Sequence, residues 1–257
     1  MAETKLSTHS NEALFLRDKN LVEDVMGKMS FTDAMFYHIM GIAPSAGQRA
    51  ILDAVLVTLM EHGFTPSAIA ARMTYLSAPE AMQSAVAAGL LSVASQFIGT
   101  MENAAKILEE IANDPNGQNA ACQRIVQQHL DSGNHMPGFG HHLHRPDDPR
   151  TPKLFEIAMV HEEIDKRPIE MMQMLGQYVD RNYGKHLTIN ATGATAAVLM
   201  GAAVPVRIMR GFAVISRAAG LVAHVMEEQQ NPAGRHIWDL VDNNIPYTGN
   251  ALIKPAP

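Results

Sequence analysis

Gly211-Phe-Ala-Val-Ile-Ser-Arg-Ala-Ala-Gly-Leu-Val-Ala223 reads as a helix that is apolar nearly all round, interrupted by Arg217. Such a helix belongs in an interior. A buried arginine there needs an anionic or polar partner, because an unpaired buried charge costs several kcal/mol. No carboxylate lies within one helical turn of Arg217, so the partner comes from another segment or from a ligand.

Outward from this helix, two stretches carry no charge, Ala81–Met101 and His186–Val206. A membrane span needs about 20 predominantly apolar residues. The first stretch holds Gln83, Ser84, Ser92, Ser95 and Gln96, and the second holds Thr188, Asn190, Thr192, Thr195 and Pro205. Both are read as buried helices of a soluble core. Phe31–Met40 reads as a helix stopped by Gly41. From Gln48, the stripe Ile51, Val55 and Leu59 gives a helix ended by Gly63. Ser77-Ala-Pro-Glu80 has the form of a capping box opening another. Helices are further expected over Ala104–Ala112, Ala120–Leu130, from Thr151-Pro152, and over Lys166–Tyr183, Gly193–Met200 and Val206–Glu228. No useful strand alternation occurs, so the expected class is all-α.

The 257 residues suit one large domain, alone or with a smaller one, and need no disulfide or structural metal to build a core. Cys122 is the only cysteine, which fits a reducing compartment, and a cytoplasmic location is expected. A net charge of −6 and the lack of basic runs with aromatics argue against nucleic-acid partners. The N-terminal MAETKLSTHSNEALFLRDK has no apolar run, so neither a signal peptide nor a membrane anchor is expected.

Met136-Pro-Gly-Phe-Gly-His-His-Leu-His-Arg-Pro-Asp-Asp-Pro-Arg150 is a loop whose glycines let backbone N–H groups approach a ligand. His141 follows as a donor for a carbonyl oxygen, and Arg150 as a bidentate clamp for a carboxylate. A solvated loop with incidental histidines is the alternative. Glu61-His62-Gly63 stands at a helix end, where a histidine is as readily structural as catalytic. The spacing of His141, His142 and His144 with Asp147 and Asp148 fits no metal-ligand pattern, so no metal is expected.

These segments together resemble citrate synthase and, in places more closely, the citryl-CoA lyase module of ATP-citrate lyase. The family loop GFGH followed by DPR looks like Gly138–His141 and Asp148–Arg150. The family's helix-end His looks like His62, and its R-x-x-G-x-x-x-H pattern like Arg217, Gly220 and His224. The lyase module's Arg-His-x-Trp is similar to Arg235–Trp238. The resemblance implies a large helical domain, 1–102 and 190–257, and a smaller inserted domain, 103–189. It implies that His62 and His141 bind an oxaloacetate-like group, with His141 or His62 as base. Arg150, Arg217, Arg235 and Asn190 would bind substrate, and Pro137, Gly138, Phe139 and Gly140 would seat coenzyme A. Arg235 would come from a second subunit of a homodimer or larger homo-oligomer. No tightly bound cofactor is implied: the coenzyme A thioester is itself a substrate, beside a di- or tricarboxylate.

Two positions depart from the family. Phe97 stands where citrate synthase has a histidine, which the lyase module also lacks, and Thr192 stands where both have the catalytic aspartate. A threonine hydroxyl is no carboxylate base at neutral pH, so Thr192 is expected to hold a water or a thioester oxygen. The expected activity is cleavage of a citryl-CoA-type 3-hydroxyacyl-CoA into an acyl-CoA and a 2-oxo acid. The rivals are an inactive CoA-ester or dicarboxylate binder, a condensing enzyme of the citrate synthase type, and a metal-dependent enzyme using the loop histidines.

Overall fold

A computed structural model describes residues 2–94 and 96–249; Ser95 and the last part of the expected large domain lie outside the described residues. Eleven α-helices carry the described fold, nine of them where the sequence pattern indicates helices and two, over 66–77 and 234–244, that it did not indicate. They are α1 (Phe31–Met40), α2 (Ala46–Met60), α3 (Pro66–Ser77), α4 (Met82–Leu91), α5 (Thr100–Asn113), α6 (Gln118–Ser132), α7 (Arg150–Met159), α8 (Arg167–Tyr183), α9 (Ala191–Gly201), α10 (Val206–Gln230) and α11 (Gly234–Asn244). Ahead of them lies a small antiparallel sheet, β1 (Ser7–His9), β2 (Leu14–Leu16) and β3 (Lys19–Asn20), in the order β1-β2-β3. It is an addition to the all-α expectation, with strands too short to show alternation.

Contacts divide the chain into two compact units, Met1–Leu59 with Ala94–Ile215, and Met60–Val93 with Ser216–Pro257. This packing division follows other lines than the expected boundaries at 102 and 189: α5, which runs across the first of them, and α9, just past the second, pack on each other. In the first unit α9 is the hub: α5, α7 and α8 pack on it, and α6 packs on α5 and α8. Its face-by-face burial follows from small residues, Ala194, Ala196 and Ala197 being fully buried beside Val198 and Leu199. On α5, Met101, Ala104, Ala105, Leu108 and Ile111 form one buried stripe at helical spacing. In the second unit α3 packs against α4 and α11.

The ends of α1 are as the sequence predicts. The Ser30 hydroxyl oxygen accepts the Asp33 N–H at 3.1 Å, and Gly41 terminates the helix at φ +80°. The capping box at Ser77 is not formed. Ser77 is the last residue of α3, its hydroxyl donates back to Met73 O at 3.3 Å, and α4 opens at Met82 without a side-chain cap. Pro66 at the first turn had already launched a helix through these residues, and Pro79 cannot extend it. By composition α10 is long and apolar enough to cross a membrane, with a mean hydropathy of 1.3, yet 50% of that window is buried inside the molecule. Met209, Phe212 and Ala213 on α10 are core residues of the first unit.

Candidate active site

The loop before α7 sits on the N-terminus of α9 with no room between them. A Cβ on Gly193 would lie 2.5 Å from Gly138 O, and one on Gly138 would lie 3.0 Å from Gly193 Cα. Gly138 (φ +86°) and Gly140 (φ +76°) take backbone conformations that favour glycine. Asn190 ties the junction. Its backbone N–H donates to Gly138 O at 3.0 Å and its Nδ2 to Gly140 O at 2.9 Å. Its Oδ1 caps α9, accepting from the N–H groups of Thr192 and Gly193 at 3.1 Å each.

The expected coenzyme A loop is therefore a structural splice as well. The Phe139 N–H is used by Met136 O at 3.2 Å and the Gly140 N–H by Thr188 O at 2.8 Å. The Phe139 side chain is a core residue beside Gly176. Pro137 has no N–H to offer. Both ends of the Asn190 amide, expected to meet substrate, are engaged within the chain.

His141 follows on this loop. Its Nδ1 accepts the backbone N–H groups of Leu143 at 3.1 Å and His144 at 3.0 Å. The neutral imidazole therefore carries its hydrogen on Nε2. Burial, then the neighbouring charges of His144, Arg150 and His142, push its pKa down to about 4 against the opposing pull of Asp148. Nε2 lies 3.5 Å from Arg150 Nη2. Two donors thus stand side by side, an arrangement that a carbonyl or carboxylate oxygen would satisfy.

Arg150 opens α7, but its fork is occupied. Nε donates to Asp148 Oδ1 at 2.9 Å and Nη2 to Oδ2 at 2.7 Å. Asp148 is fully buried and also accepts the Ala191 N–H at 2.9 Å. Burial alone would raise its pKa, yet the hydrogen bonds from Arg150 and Ala191 outweigh that and hold it at about 2. A ligand carboxylate would meet the remaining side of the Arg150 guanidinium, since Asp148 holds the Nε–Nη2 edge.

Thr192, in the first turn of α9, is part of a hydroxyl pair. Its Oγ1 lies 2.7 Å from Asn190 Oδ1 and 2.8 Å from Thr100 Oγ1, and Thr100 Oγ1 lies 2.7 Å from Phe97 O. Each hydroxyl has one hydrogen, so two orders fit. In one, Thr100 donates to Thr192 and Thr192 to Asn190. In the other, Thr192 donates to Thr100 and Thr100 to Phe97 O. Either way Thr192 keeps a lone pair for a water. Phe97 is exposed.

The second unit holds the other candidates. His62 follows the end of α2, and its N–H donates to Glu61 Oε1 at 2.7 Å. Arg217 on α10 is buried, with Nε and Nη1 lacking hydrogen-bond partners. Burial pushes its pKa down, opposed by the Glu61 charge. The partner demanded by the sequence is thus not a paired carboxylate among the described residues. Arg235 on α11 is exposed, 3.1 Å from Asp239 and 4.9 Å from the Trp238 ring centroid. The first unit brings together His141, Arg150, Asn190, Thr192 and the 137–140 loop; the second carries His62, Arg217 and Arg235. Sequence reasoning missed Thr100 and Arg72. A lone arginine among the small apolar residues Ala70 and Ala71 was a signal of the same kind as Arg217.

A family model described as "Citrate synthase, C-terminal domain" matches residues 8–238. A 2-methylcitrate synthase from Shewanella oneidensis is 28% identical over 77% of this chain and 52% of its own length. A citrate synthase from Haloferax volcanii is 25% identical over 76% of this chain and 50% of its own. The chain spans about half the length of these curated relatives. A citryl-CoA lyase from Hydrogenobacter thermophilus superposes with a TM-score of 0.85 at 29% identity, covering 100% of this chain and 98% of that one. An ATP citrate lyase from Methanothrix soehngenii, solved with citrate and coenzyme A, shares the fold with a TM-score of 0.79 at 18% identity, over 98% of this chain and 42% of that one.

Proposed function

Because this chain belongs to the citrate synthase family, we propose that it cleaves a citryl-CoA-type 3-hydroxyacyl-CoA into an acyl-CoA and a 2-oxo acid. The observation that carries this reading is the superposition on a citryl-CoA lyase with a TM-score of 0.85 at 29% identity. The paired donors His141 Nε2 and Arg150 Nη2 support it, since the 2-oxo acid carries both a carbonyl and carboxylates.

In the cleavage direction the 3-hydroxyl loses its proton, the adjoining carbon–carbon bond breaks, and the electron pair passes to the thioester carbonyl as an enolate. The enolate carbon then takes a proton. In the first unit, His141 donates from Nε2 to the oxygen that becomes the carbonyl. In this scheme the two N–H groups on its Nδ1 suit His141 to the donor's role, and His62 is the base. Arg150 and, in the second unit, Arg217 neutralise carboxylates; the unpartnered, buried Nε and Nη1 of Arg217 suit an anion. Thr192 holds the water that protonates the enolate, and the hydroxide left behind takes the proton that His62 had removed from the 3-hydroxyl. The 137–140 backbone seats coenzyme A, segment 103–189 acts as the smaller closing domain, and the working form is a cytoplasmic homodimer. No metal and no bound cofactor enters the scheme.

A condensing enzyme is the second reading, favoured by the curated synthases among the relatives. The test is to incubate the protein with citryl-CoA and, separately, with acetyl-CoA and oxaloacetate, with and without EDTA. Release of acetyl-CoA in the first, insensitive to EDTA, is the expected result. Condensation without cleavage would install the synthase reading. Tight ester binding with neither reaction would make this a binding protein.

A further inference from the structure

Glu61, Arg72, His224, Glu227 and Glu228 form a cluster of ionisable groups that the proposed reaction does not use, all within the second unit. Arg72 on α3 is fully buried. Its Nε donates to His224 Nδ1 at 3.0 Å, its Nη1 donates to Glu228 Oε2 at 2.8 Å, and its Nη2 pairs with Glu227. Because Nδ1 of His224 accepts, the neutral ring carries its hydrogen on Nε2. That nitrogen lies 2.9 Å from Glu61 Oε2, at ion-pair distance but off the line of a well-formed hydrogen bond. The other oxygen of Glu61 accepts the N–H groups of His62 at 2.7 Å and Gly63 at 2.6 Å. Gly220, one turn before His224, is pressed against this turn: a Cβ there would lie 2.0 Å from Met60 O and 3.3 Å from Glu61 Oε2. At the far end, Glu228 Oε1 accepts the N–H groups of Ala233 at 2.9 Å and Gly234 at 2.6 Å, fixing the first turn of α11.

We propose that Arg72, His224 and Glu61 are a positioning chain: Arg72 fixes the His224 tautomer, His224 holds Glu61, and Glu61 sets the turn that presents His62. This rests on the reading above that His62 meets substrate. The polarity of the chain runs one way. Arginine only donates, so His224 must accept on Nδ1 and donate from Nε2, and Glu61 must accept on both oxygens. An amide at position 61 cannot serve both neighbours: with its oxygen on the His62 and Gly63 N–H groups, its NH2 faces the His224 N–H. An amide at position 224 can, with its oxygen toward Arg72 and its NH2 toward Glu61.

The experiment uses the intact protein as wild type, His224→Leu, His224→Gln and Glu61→Gln. It reads backbone hydrogen exchange at His62 and Gly63, and kcat and KM for citryl-CoA cleavage. Exchange at those two amides should speed up by about tenfold or more in His224→Leu and Glu61→Gln, without a matching rise elsewhere. In the same two variants kcat should fall about 10- to 100-fold with KM within about threefold, the mark of misplaced rather than missing groups. His224→Gln should stay within about threefold of wild type in both readouts, because it preserves the hydrogen-bond polarity. Unchanged exchange and kcat in a folded His224→Leu would overturn the proposal, and so would His224→Gln behaving as badly as His224→Leu. If His224→Leu does not fold, Glu61→Gln decides, since the Glu61 side chain is 46% exposed. If the wild type cleaves no ester, the functional reading fails, and exchange at His62 and Gly63 still decides the chain.

Discussion

Burial first, and then the charges of His144, Arg150 and His142, hold His141 neutral with a pKa of about 4. The two backbone N–H groups on Nδ1 place the hydrogen of that neutral ring on Nε2. Titration by NMR should find His141 in the Nε2–H tautomer from neutral pH down to about 5. A group with a depressed histidine pKa favours folding above its ordinary value of about 6.5, and that contribution is lost as pH falls from there to about 4. His141→Ala should cost about 100- to 1,000-fold in kcat, as for a preorganised donor, whereas Thr192→Ala should stay within about tenfold. Equal losses in the two would contradict these roles. Asp148 gives the opposite titration: its carboxylate, held at about 2, contributes stability that is present above its ordinary pKa and lost as pH falls through about 2. Asp148→Asn should lower unfolding free energy at pH 7 by about 2 kcal/mol, with the gap closing in acid. The loop spelled out His141 and Arg150 as reactive types. It did not spell out that Arg150 is forked onto Asp148, because the burial that holds Asp148 comes from Thr188 and Ala191, some 40 residues away.

At the scale of elements, the long helices were legible because large apolar residues recur along them, as Ile51, Val55 and Leu59 do on α2. Helix α3 was not, since its buried positions are Ser67, Ala68, Ala71 and Arg72, which make no hydrophobic stripe. The junction of the 136–140 loop with α9 was half legible. Its glycines were read as ligand-facing, yet Gly138 and Gly193 are required by each other. Gly193→Ala should therefore act through the loop. A Cβ 2.5 Å from Gly138 O must push the carbonyl away, at the cost of about 1–3 kcal/mol typical of overpacking. Thermal unfolding should show that loss, and calorimetry with acetyl-CoA should show weakened binding. A variant that loses stability but binds acetyl-CoA as well as wild type would separate the loop from the coenzyme.

For the whole molecule, the homodimer that the resemblance implies needs a surface to form on. Helix α9 is consumed inside the first unit, where Ala194, Ala196 and Ala197 are fully buried, and it has no face left for a partner. Helix α11 is the reverse case: of its residues only Gly234 is buried, while Trp238, Leu240 and Val241 are exposed, as are Ile245 and Tyr247 just beyond it. Grouped apolar side chains of this size on a lone surface favour association, and a second copy of the chain would cover them. Light scattering at micromolar concentration should find a dimer. Trp238→Glu should shift it to monomer with the thermal midpoint of the monomer preserved, since Trp238 lies outside the core of its own chain. Arg235 stands beside Trp238 on this helix, so the same variant should lose ester cleavage if Arg235 acts across the interface. A wild type that is monomeric and fully active would refute the dimer and, with it, any role for Arg235 in a partner's site.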